Sequence, residues 1–204
     1  MKLHQFHMSG NCYKVRLAAH HLGRKLTLVD VDMRGGETRR AAFLAKNPNG
    51  RVPTLELDNG DTLPESNAIL FYLAEGRPLM PEAHLDRARV MQWMFFEQYS
   101  HEPYIAVARF WLAYAPKDQL ETRRHLIPEW HAKGNAALGV METHLASHDW
   151  FGGPRFSIGD IALYAYTHCA GDGGFDLTRF PRVSDWLKRV AALPRHLSME
   201  TRIG

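Results

Sequence analysis

The residues Ser9-Gly10-Asn11-Cys12 form the first stretch that could carry chemistry, because they join an extended segment to a helical one. A helix N-terminus has unpaired N–H groups and the positive end of the helix dipole, which stabilise an anion and lower the pKa of a thiol held there. The Ser9 hydroxyl could donate a hydrogen bond to a sulfur anion at this place. Serine is also a common N-cap residue, so these residues alone leave a purely structural role open.

A second stretch, residues 47–55, places Pro53 directly before an extended segment. Proline has no N–H to give to a sheet, so we expect a special turn here. A cis Val52-Pro53 bond would direct the backbone N–H and C=O of Val52 outward, as a hydrogen-bonding edge for a peptide-like ligand.

A third stretch places Glu65 and Ser66 at the start of another helical segment. Glu65 could bind a ligand ammonium group, while the hydroxyl and backbone N–H of Ser66 could bind a carboxylate. The pair would then hold an α-amino acid head group at both ends. Each residue taken singly also suits a helix start, so the structural alternative stays open here as well.

The elements that must position these residues alternate in type over residues 1–76. The pattern predicts strands at residues 2–7, 26–31, 53–57 and 61–63, and helices at residues 12–22, 37–46 and 65–75. The order, βαβ followed by αββα, is that of a thioredoxin-like domain, whose mixed sheet contains both parallel and antiparallel pairs.

The rest of the chain has helical patterns interrupted by proline and glycine. Helices are predicted at residues 86–115, 119–145, 157–170 and 184–193, with Pro128 perturbing the second of them. Ser157 and Asp160 have the spacing of a capping box at the start of the third. Because prolines cluster near residue 80, we predict an α/β domain at 1–77, a linker at 78–86 and an all-helical domain at 87–204.

Composition excludes several classes of protein. The 204 residues are 45% hydrophobic and 23% charged, which is typical of a globular chain, and the 25 basic and 22 acidic residues are spread along it, so no nucleic acid partner is expected. No apolar run is long enough to cross a membrane. The two cysteines, Cys12 and Cys169, form neither a disulfide framework nor a metal-ligand pair, so we expect a reducing, cytoplasmic location and no metal.

Taken together, the three stretches resemble the glutathione S-transferase superfamily over essentially the whole chain, in its bacterial serine-type classes (theta, delta and zeta like). The resemblance implies an α/β thioredoxin-like N-terminal domain followed by an all-α helical-bundle C-terminal domain, in which the segment FSIGDIALYAY carries the capping motif. It also implies glutathione as a co-substrate, a small electrophile as the second substrate, and a homodimer.

The same resemblance implies roles for individual residues. Ser9 corresponds to the catalytic hydroxyl that hydrogen-bonds the glutathione sulfur, Val52-Pro53 to the cis-proline site that pairs with the cysteinyl backbone, and Glu65-Ser66 to the pair that holds the γ-glutamyl head. The implied glutathione-binding residues are Ser9, Asn11, Arg51, Val52, Pro53, Glu65 and Ser66.

Some assignments stay open. Asn11 or Cys12 could face the sulfur in place of Ser9. Arg51 is expected at the glycyl carboxylate, but any of four further residues could also lie there: Glu37, Thr38, Arg39 and Arg40.

The expected activity is conjugation of the glutathione thiolate to a small hydrophobic electrophile, in a second pocket lined by Met8, Tyr104 and Arg109. A glutathione-dependent isomerase or disulfide reductase would use the same first site, although the Ser-Gly-Asn-Cys start departs from that of zeta-like isomerases. A non-catalytic adaptor with the same fold would not need Ser9 together with the residues that hold glutathione.

Overall fold

The computed structural model describes residues 1–202, which form two compact units. The first unit contains residues 1–80 together with the C-terminal tail that begins at Pro194, and the second contains residues 81–193. The tail thus belongs by its contacts to the first unit, whereas the sequence-based division places it with the helical half.

The first unit is built on a sheet of four strands: β1 (Lys2–Gln5), β2 (Thr27–Asp30), β3 (Thr54–Glu56) and β4 (Thr62–Pro64). Their order is β2-β1-β3-β4. The pair β1 and β2 is parallel, and the pairs β1 and β3, and β3 and β4, are antiparallel. This confirms the mixed sheet that the order of elements predicts.

The helices of this unit are α1 (Gly10–His21), α2 (Ala41–Leu44) and α3 (Ser66–Ala74). Apolar side chains of α1 and α3 pack on the sheet in one core: Leu3, Val15, Leu55, Ile69 and Leu73. The predicted continuous helix over 37–46 is wrong, because the extended backbone of Arg40 separates a 3-10 turn, Glu37–Arg39, from α2.

Helix α1 ends as its sequence predicts, at Gly23. This glycine has a φ of +65°, which residues with a Cβ atom rarely adopt. Its N–H donates to the carbonyl of His20 at 3.1 Å, and the N–H of Arg24 donates to the carbonyl of Ala19 at 2.8 Å. These two bonds are the Schellman pattern, so the start of the loop to β2 is fixed by residues close in sequence.

The second unit is helical. Its helices are α4 (His84–Phe96), α5 (Glu102–Arg109), α6 (Lys117–Glu121), α7 (Ile127–His144), α8 (Ile158–Thr167) and α9 (Pro181–Ala191). Two π-helical turns, Glu97–His101 and Phe110–Tyr114, follow α4 and α5 without a break. The predicted helix over 119–145 is interrupted between α6 and α7, because Pro128 lies in the first turn of a new helix, where its missing N–H is not needed.

The predicted capping box at the start of α8 is confirmed. The buried carboxyl group of Asp160 accepts hydrogen bonds from the backbone N–H of Phe151 at 2.9 Å, from that of Ser157 at 3.0 Å and from the indole of Trp186 at 3.0 Å. Burial raises the pKa of Asp160 to about 7, although the hydrogen bonds by themselves lower this pKa. The box therefore links α8 to α9 and to the loop before it.

Within residues 1–202, no helix combines the length and apolar character that crossing a bilayer requires. No group of three histidine, cysteine or acidic side chains in that range could hold a metal ion.

Candidate active site

The three stretches with candidate chemistry converge at one edge of the sheet. In the register of the strands, His4 near the end of β1 pairs with Thr54 at the start of β3, and Thr54 pairs with Pro64 at the end of β4. The loop after β1, the turn before β3 and the connection from β4 to α3 therefore all leave this edge. These segments carry Ser9, Pro53 and Glu65 respectively.

Ser9 is the N-cap of α1, and its hydroxyl oxygen accepts a hydrogen bond from the backbone N–H of Cys12 at 3.3 Å. The backbone of Ser9 is also held, because its N–H donates to the carbonyl of Phe6 at 3.0 Å. A hydroxyl that accepts one bond keeps its own hydrogen to donate. The capping role and a role toward a ligand sulfur are thus compatible in this geometry.

Cys12 is unsuited to the sulfur-facing role that the sequence leaves open for it. Its side chain is fully buried, and its sulfur accepts a hydrogen bond from the backbone N–H of Phe6 at 3.4 Å. Burial raises the pKa of the Cys12 thiol to about 11. The thiol is therefore protonated at neutral pH and directed into the protein.

Asn11, the other residue left open, is joined to the head-group stretch. The Ser66 hydroxyl donates to the Asn11 side-chain oxygen at 3.2 Å. Lys14 lies beneath them, with its ammonium group 3.4 Å from the Ser66 oxygen and 3.5 Å from the Asn67 side-chain oxygen. These contacts connect the N-termini of α1 and α3.

Sequence reasoning missed Lys14, although a lysine among the apolar positions of α1 was a signal. Its side chain has no exposed surface. A buried ammonium group next to the N-terminus of α3 adds a full positive charge to the partial charge of the helix dipole. The neighbourhood of Ser66 is therefore suited to a carboxylate.

Glu65 precedes α3 with a backbone conformation that is rare for a residue with a side chain. Its φ is +70°, the only positive value at a non-glycine residue in the described part of the chain. Such a conformation typically costs about 1–3 kcal/mol and is concentrated at functional sites. The side chain is exposed and makes no capping bond to α3, which leaves the carboxylate accessible to a ligand.

The turn before β3 contains the expected cis Val52-Pro53 bond. Asn47, 2% exposed, organises this turn: its side-chain amide donates to the carbonyl of Arg51 at 2.9 Å and to the hydroxyl of Thr54 at 3.3 Å. Sequence reasoning placed Asn47 in a turn but gave it no role. The side chain of Arg51 itself is exposed.

The four residues considered for the glycyl end differ in their surroundings. Thr38 is buried. Arg39 and Arg40 are exposed and donate to the carbonyls of Asn49 at 3.1 Å and Gly35 at 3.5 Å. The bond from Arg39 joins this arginine to the turn before β3.

The residues predicted for a second substrate are not brought together by α5. Tyr104 and Arg109 are five positions apart on this helix, which separates their directions by about 140°. Arg109 is 4% exposed, and its guanidinium group donates to Asp172 at 3.1 Å and to the Tyr114 hydroxyl at 2.6 Å. Met8 is half-buried in the loop before Ser9. A role for these three in binding a second substrate stays a prediction.

The mixed sheet with its three converging segments is a thioredoxin-like domain, and a helical unit follows it. Family models named "Glutathione S-transferase, N-terminal domain" and "Glutathione S-transferase, C-terminal domain" match residues 3–81 and 94–194. The chain belongs to the glutathione S-transferase family.

Known proteins similar to this chain differ in activity. A crystal structure of a glutathione S-transferase from Pseudomonas fluorescens is 50% identical, covers 98% of each chain and superposes with a TM-score of 0.94. A maleylacetoacetate isomerase from Pseudomonas aeruginosa is 32% identical over 95% of this chain and 90% of its own. The disulfide-bond oxidoreductase YfcG of Escherichia coli is 28% identical over 90% of this chain and 87% of its own.

Proposed function

We propose that the protein is a glutathione transferase that conjugates the glutathione thiolate to a small hydrophobic electrophile. The observation that carries this proposal is the position of Ser9, which caps α1 at the same sheet edge as the turn before β3 and the start of α3. One ligand with a thiol between two peptide-like ends can contact all three segments.

In this proposal the backbone of Val52 pairs with the cysteinyl unit of glutathione. Glu65 binds the γ-glutamyl ammonium group, and the N–H and hydroxyl of Ser66 bind its carboxylate, with the charge of Lys14 close behind. Arg51 binds the glycyl carboxylate. Charge is thus complementary along the ligand.

The chemistry depends on ionising the bound thiol. A free thiol has a pKa near 8.5, and lowering it by about two units, equivalent to about 2.7 kcal/mol, makes most of it thiolate at neutral pH. The Ser9 hydroxyl donates to the sulfur, and the first N–H groups of α1 add to the stabilisation. The sulfur then forms a bond to the electrophilic carbon, and the leaving group departs with the electron pair of its own bond to that carbon. Ser9 stabilises the thiolate and forms no covalent bond.

The similarity to an isomerase and to a disulfide oxidoreductase favours a second candidate, a glutathione-dependent isomerase or disulfide reductase. Either enzyme would use the same glutathione site with different chemistry at the second substrate. A non-catalytic adaptor is the third candidate.

The decisive experiment is a titration with glutathione at several pH values, monitored by the ultraviolet difference absorbance of the bound thiolate. Thiolate well below the pKa of free glutathione supports an enzyme that activates the thiol, and turnover of an aryl halide then separates the transferase from the isomerase and the reductase, which need the same thiolate. Binding without ionisation contradicts the role given to Ser9, and absence of binding supports the adaptor. The Cys12→Ser variant is the control, since the signal of bound glutathione should survive the loss of this protein thiol.

We also propose a homodimer. Large apolar side chains stay exposed along α4 and the turn after it: Leu85 at 59%, Phe95 at 66% and Tyr99 at 85%. An apolar surface of this kind is typical of a protein contact. A second copy of the chain is the partner that the family resemblance implies.

A further inference from the structure

The C-terminal tail that begins at Pro194 docks on the first unit with alternate side chains. Leu197 is 6% exposed and Met199 is 1% exposed, whereas Ser198 and Glu200 are exposed. Burial of Leu197 and Met199 anchors the tail. The backbone carbonyls of the tail then lie within hydrogen-bonding distance of side chains on α1.

Three side chains of α1 donate hydrogen bonds to those carbonyls. His20 donates to Arg195 at 2.9 Å and Tyr13 donates to Leu197 at 2.6 Å. Arg16 donates to the carbonyl of Met199 at 3.1 Å. Residues 13, 16 and 20 follow helical spacing, so one face of α1 holds the tail along its length.

Arg16 also binds the loop that carries Ser9. The Nη2 atom that donates to Met199 donates to the carbonyl of His7 as well, at 2.9 Å, and Nη1 donates to the Gln5 side chain. Arg16 has no exposed surface. A buried guanidinium group needs such acceptors, so the arginine requires the loop and the tail in these positions.

His7 makes a second connection between loop and tail. Its Nε2 lies 3.3 Å from the carbonyl oxygen of Glu200, and because a carbonyl only accepts, the imidazole donates. Burial, and then the charge of Arg16, lower the pKa of His7, so the ring is neutral at pH 7. The residue two positions before Ser9 is thus held through its backbone by Arg16 and through its side chain by the tail.

We propose that Arg16 and the docked tail, residues 194–202, are positioning elements that fix the loop between β1 and α1 and thereby direct the Ser9 hydroxyl at the glutathione sulfur. This inference rests on the proposed function. A hydrogen bond to a thiolate depends steeply on distance and angle, so a small displacement of Ser9 raises the pKa of the bound thiol.

The first test uses Met199→Asp in the full chain, which places a carboxyl group at a buried anchor and undocks the tail without changing α1 or the loop. Ser198→Ala is the matched control, because this neighbouring side chain is exposed and bonds within the tail. Two quantities are measured: hydrogen exchange of the amides of residues 6–9, and the pKa of bound glutathione by thiolate absorbance.

In Met199→Asp we expect amide exchange in residues 6–9 to accelerate at least tenfold and the pKa of bound glutathione to rise by about one unit, a tenfold change in thiolate at low pH. Ser198→Ala should match the unmodified protein in both. A merely structural role of the tail would lower the melting temperature and leave the pKa of the bound thiol unchanged.

Arg16→Lys is the second variant. It tests the positioning role if Met199→Asp does not fold or if its tail stays docked. It retains the charge but loses the planar fork, in which Nη1 binds Gln5 while Nη2 binds both His7 and Met199. Folded variants with normal exchange at residues 6–9 and a normal bound-thiol pKa would overturn the proposal. Failure of the unmodified protein to bind glutathione would refute the proposed function instead, while hydrogen exchange would still test the link between tail and loop.

Discussion

Replacing Ser9 with alanine tests the centre of the proposed mechanism. The variant loses a long capping bond to Cys12, 3.3 Å, which costs about 1 kcal/mol of stability and leaves the protein folded. It also loses the donor to the thiolate, and a hydrogen bond to a charged group contributes about 1.5–3 kcal/mol. That energy corresponds to a rise of about one to two units in the pKa of the bound thiol.

The assay is the pH dependence of turnover with an aryl halide electrophile. Below the bound-thiol pKa of the unmodified protein, the Ser9→Ala variant should be slower by a factor of about 10–100, and the two rates should approach each other at high pH, where both bound thiols are ionised. Ser9→Thr is the matched control, since it keeps a hydroxyl and an N-cap, and it should retain most of the shift in pKa.

The result that would refute this reasoning is a Ser9→Ala variant whose pH profile coincides with that of the unmodified protein. The thiolate would then be stabilised by the N–H groups of α1 without the hydroxyl. A rate that is lower by the same factor at every pH would also contradict the assignment, because loss of a pKa shift must disappear once the thiol is ionised.

Three further predictions concern other parts of the chain. Cys12 should resist alkylation in the folded protein until the pH approaches about 11, because burial raises the pKa of its thiol; mass spectrometry after a timed reaction measures this. Asp160→Asn should lower the free energy of unfolding by about 1–3 kcal/mol in denaturant titrations, because asparagine keeps one acceptor oxygen for the bonds from Phe151 and Trp186 but leaves the buried N–H of Ser157 without an acceptor. Phe95→Glu should reduce the mass in light scattering to 23.3 kDa, since a charge on the exposed apolar face of α4 opposes a homodimer.

Each of these has a matched comparison. Rapid labelling of Cys12 near pH 8 would contradict its burial. Asp118 is exposed, so Asp118→Asn is the control for Asp160→Asn. If the two variants lose the same free energy of unfolding, the result contradicts the role of the capping box. Val140→Glu, at another exposed apolar position, should leave the mass unchanged. If Phe95→Glu and Val140→Glu both dissociate the dimer, the result contradicts the assignment of the dimer contact to α4.

Features that depend on residues near each other in the chain were determined by the sequence. Gly23 ends α1 because only a residue without a Cβ atom adopts its conformation at little cost. Ser157 and Asp160 start α8 because they are three positions apart. The order of strands and helices likewise identified the thioredoxin-like domain, and with the three motifs it identified the family.

Boundaries inside predicted helices were the local features that sequence reasoning missed. Arg40 interrupts the predicted helix over 37–46 and Pro128 starts α7 instead of bending a longer helix. Apolar periodicity continues across such breaks, because it records which side of a segment is buried and not where the hydrogen-bonded turns stop.

Only the tertiary structure decided how the site is assembled. The register of β1, β3 and β4 brings the loop that carries Ser9 next to two segments that lie more than forty positions further along the chain. Burial of Lys14 against Ser66, and of Arg16 between the Ser9 loop and Met199, depends on the same long-range packing. A local pattern indicates helical spacing and capping residues. It does not indicate which distant backbone carbonyl accepts a hydrogen bond from a buried cation, because that partner depends on the fold of the whole chain.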